Sequence, residues 1–305
     1  MKLLRATFLS VNGLRDVTCD FSRTMQESAR DVVVITGAPA SGKTRVIEAI
    51  LAAKEVIAPY GPPIHSDPWI RPGDDAAKVA LTFLFDEEEQ RRIGGIPAVM
   101  EAEALFNMRG ANADADEGLV ALVERYGHDP RHGKLDYFAA NRWLPPPGPM
   151  HGLGAIEQRL YRLGRDARKY SFVPRLLAEI VNDAEKQARF RTAIERLSPT
   201  LRYVGPPGTD PLRCFSSRGG YAATPSELST SEQDAVVFAA TSVHVRHEKS
   251  VVFIDRPELF VGERGIVAWM EAVRGLADDV QIIVASTSPA LLASMEPGAV
   301  INLEA

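Results

Sequence analysis

Residues Gly37-Ala38-Pro39-Ala40-Ser41-Gly42-Lys43-Thr44 set two glycines five positions apart and follow the second with a lysine and a threonine. A bound triphosphate demands this spacing of a polypeptide. The glycines let the backbone wrap closely, so that its N–H groups converge on an anion at a helix start. Lys43 would neutralise the outer phosphates, and the Thr44 hydroxyl would hold a magnesium ion.

Two further groups extend the set. Residues 251–255 (Val-Val-Phe-Ile-Asp) form an apolar run that ends in Asp255. A buried strand of this kind delivers a carboxylate to a metal beside a phosphate loop. Residues 227–233 (Glu-Leu-Ser-Thr-Ser-Glu-Gln) read as a helix start, with Ser229 and Glu232 spaced as a capping box. The hydroxyls of Ser229 and Ser231, with the free N–H groups of a helix start, suit a terminal phosphate.

These groups need elements to hold them. Residues 2–10 and 14–21 alternate apolar and polar side chains around Asn12-Gly13, which predicts a hairpin. Residues 31–36 are a continuous β-branched run, as in a strand buried on both faces. Helical spacing follows over 43–55, an irregular Pro- and Gly-rich connection over 58–75, and a strand over 77–85. Residues 98–126 read as helix in two pieces broken near 110–116, and 134–143 as a strand. The proline run at 145–149 marks a boundary. Residues 154–197 carry strong helical spacing, with a break expected at Pro174. Strands are then expected near 200–204, 250–255, 280–285 and 298–303, and helices at 231–245, 265–276 and 289–295. Such alternation predicts a mainly parallel sheet covered by helices. The divisions expected are 1–150 with the phosphate loop, 151–198 as a helical insertion, and 199–305 with the serine-bearing helix and the acidic strand.

Taken in order, the phosphate loop, the serine-bearing segment and the acidic strand resemble the head of an ABC-type ATPase of the RecF-like and SMC-like branch. That branch includes AAA ATPase relatives of the overcoming-lysogenization-defect type, and residues 228–233 resemble its L-S-x-G-E-Q signature. The resemblance implies an α/β P-loop NTPase fold with a mainly parallel central sheet, an N-terminal antiparallel β subdomain and a helical insertion. It implies ATP and Mg2+ as cofactors. Gly37, Ala38, Pro39, Ala40, Ser41, Gly42, Lys43 and Thr44 would cradle the phosphates, and Thr44 and Asp255 would serve the metal. Ser229, Ser231 and Glu232 of a second subunit would close the site. The partner is then a second copy or a related ATPase subunit, with an effector protein moved through the insertion. DNA repair, phage defence and chromosome maintenance all use such a head.

Several positions depart from that pattern. Arg256 stands where the family has the glutamate that orients water, and a guanidinium cannot act as a general base. Glu258 keeps the second acid of the D-E-P-E sequence and is the candidate substitute. Thr287 replaces the switch histidine, and Ser231 replaces a signature glycine. The family's metal-sensing glutamine has no clear counterpart; residues 65–69 are where it would lie. Several losses at one site predict a nucleotide-dependent switch or clamp with slow or absent hydrolysis. Three rivals stay open: a competent ATPase using Glu258, a monomeric P-loop kinase of a small molecule, and a scaffold that keeps nucleotide as a structural cofactor.

Across its 305 residues the chain carries 35 Lys and Arg against 40 Asp and Glu, which argues against a general nucleic-acid coat. Residues 151–198 hold ten basic against six acidic side chains, a local +4. Arg159, Arg162, Arg165, Arg168 and Lys169 recur there at helical spacing, either as a solvated face or as a contact to DNA or a partner. The histidine sets 128/132/151 and 244/247 lack the surrounding ligands of a zinc site and read as surface. Two distant cysteines, no apolar leader and no membrane-length apolar run predict a cytoplasmic chain without a membrane role.

Overall fold

The computed structural model describes residues 1–304 except 24–27, 62, 96, 125–134, 146–160, 207, 209, 211, 218 and 219. In chain order its elements are β1 (Lys2–Leu9), β2 (Val17–Asp20), β3 (Val32–Thr36), α1 (Lys43–Ile57), β4 (Ala76–Leu84), α2 (Glu87–Arg92), β5 (Val99–Asn107), β6 (Gly110–Asp114), α3 (Glu117–Val123) and β7 (Leu135–Phe138). There follow α4 (Val173–Ile180), α5 (Ala184–Leu197), β8 (Arg202–Tyr203), β9 (Phe215–Ser216), β10 (Ala222–Ala223), α6 (Thr230–Val245), β11 (Val251–Asp255), α7 (Glu258–Val261), α8 (Ile266–Arg274), β12 (Gln281–Ala285), α9 (Pro289–Ser294) and β13 (Val300–Asn302).

The most apolar strands form a parallel sheet in the order β13-β3-β12-β11-β7. Alternate residues of one strand enter different cores. Val33 and Ile35 face the core built around β1, α1 and β4, whereas Val34 faces the one built around α4, α5, α6 and α8. A strand covered on both faces must be apolar at every position, and so its sequence shows no alternation. The second sheet is antiparallel, in the order β2-β1-β4-β5-β6. Helix α1 lies between the two sheets and packs on β4, β5, β6 and β12. Its Val46, Ile47, Ala49, Ile50 and Ala53 are therefore buried, and its first residues are held firmly at the end of β3.

Several expectations are corrected. Residues 98–114 form a strand pair rather than helix: β5 pairs with β4 over its whole length, and Asn107 faces Gly110 across a tight turn into β6. Among the described residues of the expected helical stretch, Glu117–Val123 is helical. The break expected near Pro174 is a helix start: Pro174 lies in the first turn of α4, where its missing N–H costs nothing. The region after 200 holds a small antiparallel sheet, β10-β9-β8, where one strand was expected. The basic stripe is no stripe: Arg162 and Lys169 are buried against Asp136, and Arg165 and Arg168 pair outward with Glu48 and Asp166. Arg159, the histidines at 128, 132 and 151, and most of the proline run lie outside the described residues. His247 is interior rather than surface, with its ring 2.8 Å from the Asp136 carboxylate, and His244 stacks on Phe172 at 4.5 Å. Among the described residues no helix is long and apolar enough to cross a membrane.

Candidate nucleotide site

Strand β3 ends at Thr36, and the loop that follows has an unusual backbone. Gly37, Ala40 and Gly42 all have positive φ, at 145°, 65° and 95°. A Cβ on Gly37 would lie 2.6 Å from Ser41 Oγ, and one on Gly42 would lie 2.5 Å from Leu14 Cδ2. The positive φ favours glycine at both positions, and at Gly42 a Cβ would also crowd the Gly13 carbonyl oxygen at 3.0 Å. The Leu14 contact shows that the β1–β2 loop braces the phosphate loop, and Arg45 fixes the same pair by donating from Nε to Asn12 O at 2.7 Å. Lys43 opens α1 and folds back over its own loop, its ammonium donating to Gly37 O at 2.8 Å and to Ala38 O at 2.7 Å.

Asp255 closes β11 and is almost fully buried. Its Oδ2 accepts from the Thr44 hydroxyl at 2.9 Å, whereas its buried Oδ1 has no partner among the described residues. Burial pushes the carboxyl above its ordinary range, against the Thr44 hydrogen bond and the nearby Arg165. Hydroxyl and carboxylate oxygens side by side, one of them unsatisfied, are the donor set of a hard cation such as Mg2+. The residues at this position fit the metal that the sequence implies.

The chain then turns sharply. Arg256 has φ 50°, donates its N–H to Ala285 O at 2.9 Å and leaves its side chain exposed. Glu258, at the start of α7, accepts from Ser286 Oγ at 2.8 Å and from the Thr287 N–H and hydroxyl, each at 3.3 Å. A cleft of about 500 Å³ gathers Pro39, Ala40, Gly42, Lys43 and Thr44 with Arg256, Glu258 and Thr287, so three sequence segments meet at one place.

Ser229, Ser231 and Glu232 do not line that cleft. They form the tip of α6. Ser229 is the N-cap: its backbone N–H donates to Glu232 Oε2 at 3.0 Å, and its hydroxyl lies 3.4 Å from the Glu232 N–H and 3.4 Å from Ser231 Oγ. The tip is exposed at 229–231, while the helix behind it is buried from Asp234 onward.

The structure adds residues that the sequence did not single out. Glu48 lies one turn beyond Thr44 and lines the cleft, a placement readable from the i, i+4 spacing. Arg165, which the sequence marks only as one of a basic run, reaches the same cleft and pairs with Glu48. Arg142 and Asp234 form a buried ion pair whose only trace in the sequence is an acid at the head of a long apolar helix. Residues 65–69 lie outside the phosphate cleft, beside α1, where the Arg45 guanidinium stacks 4.1 Å over Trp69. No glutamine lines the phosphate cleft among the described residues.

No protein-family model matches the sequence, and no curated protein matches it. Solved structures do resemble the fold. One is an SMC head bound to the C-terminal winged-helix domain of ScpA, with TM-score 0.58 at 15% identity, covering 97% of this chain and 95% of that one. An SMC head with an extended coiled coil, bound to the C-terminal domain of ScpA derived from Pyrococcus furiosus, matches with TM-score 0.56 at 14% identity over 95% and 91%. The SMC head domain from Thermotoga maritima matches with TM-score 0.51 at 14% identity over 97% and 93%. The chain has the fold of an SMC head domain.

Proposed function

We propose that this chain is an ATP-binding SMC-like head that associates head to tail around ATP and Mg2+ and acts as a slow nucleotide switch. The observation that carries the reading is the cleft itself. It sets Gly42, Lys43 and Thr44 around one space, and Thr44 bonds Asp255 behind them, whose second carboxylate oxygen is buried with no partner among the described residues. The loop N–H groups and Lys43 bind the phosphates; Thr44 and Asp255 hold Mg2+, which supplies charge neutralisation when bound. The α6 tip, exposed and absent from its own cleft, is free to close the cleft of a second chain. Arg256 holds phosphate charge but takes no proton, and Thr287 donates a hydrogen bond without a charge. Both features favour retention of the nucleotide over turnover.

A second reading, a competent ATPase, is favoured by one observation: Glu258 lies in the cleft and is oriented by Ser286 and Thr287. Light scattering decides the first point. Mass should double with Mg-ATP and stay monomeric for Lys43→Ala, and an unchanged mass in both would refute association. Turnover decides the second: rapid hydrolysis lost in Glu258→Gln and kept in Arg256→Ala would replace the slow switch with the ATPase. A monomer that phosphorylates a small molecule without regard to changes at Ser229 would be a kinase.

A further inference from the structure

Arg142 follows β7 and is buried, and its guanidinium touches three elements at once. Nη1 donates to the main-chain carbonyl of Asp255 at 3.0 Å, at the end of β11. Nε donates to Asp234 Oδ1 at 2.5 Å, on α6 just behind the serine tip. The guanidinium plane lies 4.0 Å over the ring of Phe260, which shares the short helix α7 with Glu258, and 5.4 Å from Phe238, one turn beyond Asp234. The pair is costly to bury: Arg142 Nη2 and Asp234 Oδ2 have no hydrogen-bond partner among the described residues. Two apolar side chains would fill such a place at no loss of stability. The arrangement therefore needs a reason beyond packing.

We propose that Arg142 is a positioning residue that ties the serine tip of α6 to the acidic end of β11, so that filling a chain's own cleft sets how that chain presents its tip to a partner. The inference rests on the two-chain reading above. The connection is short: Thr44 to Asp255 by a hydrogen bond, the Asp255 carbonyl to Arg142, and Arg142 to Asp234, five residues from Ser229. Only a planar fork with several donors spans the carbonyl and the carboxylate together; a lysine ammonium holds one and releases the other. Coupling of this kind is reciprocal, so engagement of the tip also tightens nucleotide in the same chain.

The test uses the full-length chain, a non-hydrolysable ATP analogue and Mg2+. Asp234 left alone in the core endangers folding, so Arg142→Met is combined with Asp234→Leu, which removes both charges at similar volume. Arg142→Lys serves as the conservative variant. The expected result is unchanged analogue affinity in the double variant, analogue-driven dimerisation weakened about tenfold, and no analogue-induced change in hydrogen exchange over 229–236. That exchange is measured below the concentration at which chains associate. Arg142→Lys should behave like the double variant. Wild-type dimerisation and wild-type exchange in the double variant would overturn the coupling and leave the dimer reading standing. Loss of analogue binding would also overturn it, since Arg142 would then merely support the cleft. If the wild-type chain stays monomeric, the dimer reading falls, and the exchange response of the monomer alone decides the role of Arg142.

Discussion

The buried charges are the residues whose removal should be felt most. Asp136 is enclosed with Arg162, His247 and Lys169. Burial works against its ionised form, but Arg162, the His247 hydrogen bond and Lys169 outweigh it and hold the carboxyl well below the usual range. In the unfolded chain the same group takes up its proton near pH 3.9. Between that value and the lower folded one, the unfolded state binds more protons. The stabilisation is therefore complete above about pH 4 and is lost as the pH falls below it. Asp136→Asn should cost about 3–5 kcal/mol at neutral pH, because it leaves buried cations without their counter-charge. In urea titrations the gap between the two proteins should narrow as the solution is acidified below that point. A gap that stays constant with pH would show that Asp136 is not held as a carboxylate. The cleft divides similarly into readable and unreadable residues. The cradle and Asp255 were legible because glycine spacing and an acid ending an apolar strand are local signals. Arg165 and Arg142 were not, because what they touch is set by chain segments far away in sequence.

At the level of elements, β5 shows where local signals mislead. Its residues Met-Glu-Ala-Glu-Ala-Leu are strong helix formers, and read alone they favour a helix. Yet Ala102, Ala104 and Phe106 are buried in alternation, the period of a strand, and nine β4 residues supply the pairing that overrides propensity. The two alanines are small because α1 packs across this sheet. Ala104→Leu should therefore destabilise the protein by about 1–3 kcal/mol through overpacking, whereas Glu101→Thr on the exposed face should be neutral or mildly stabilising. Equal effects from the two changes in denaturant midpoints would contradict the strand. The parallel sheet was legible in all its strands except the extent of β7, because runs such as Val-Val-Val-Ile admit few other structures. The basic stripe failed for the opposite reason. Spacing of three to four residues describes a face only if the segment is helical, and here a short 3-10 turn at Ala167–Tyr170 sends Lys169 inward and Arg168 outward.

For the whole molecule, the separation of cradle from serine tip makes a prediction that neither feature makes alone. If each site uses the cradle of one chain and the tip of another, a defect in the cradle and a defect in the tip harm different sites. Lys43→Ala removes the ammonium proposed to neutralise the phosphates in a chain's own cleft but leaves its α6 tip intact. Ser231→Arg blocks the exposed tip but leaves the cradle intact, because Ser231 does not line the cleft. Each variant alone should remain monomeric with Mg-ATP. Mixed in equal amounts, they can build a dimer in which one site takes the Ser231→Arg chain's cradle and the Lys43→Ala chain's tip, both unaltered, while the other site carries both lesions. Association should thus return in the mixture, more weakly than for the unaltered chain, with one bound nucleotide per dimer in place of two. Sedimentation with labelled ATP measures both quantities. A side-by-side dimer, in which each chain completes its own site, would give no rescue, and a monomeric nucleotide binder would give no change of mass in any mixture.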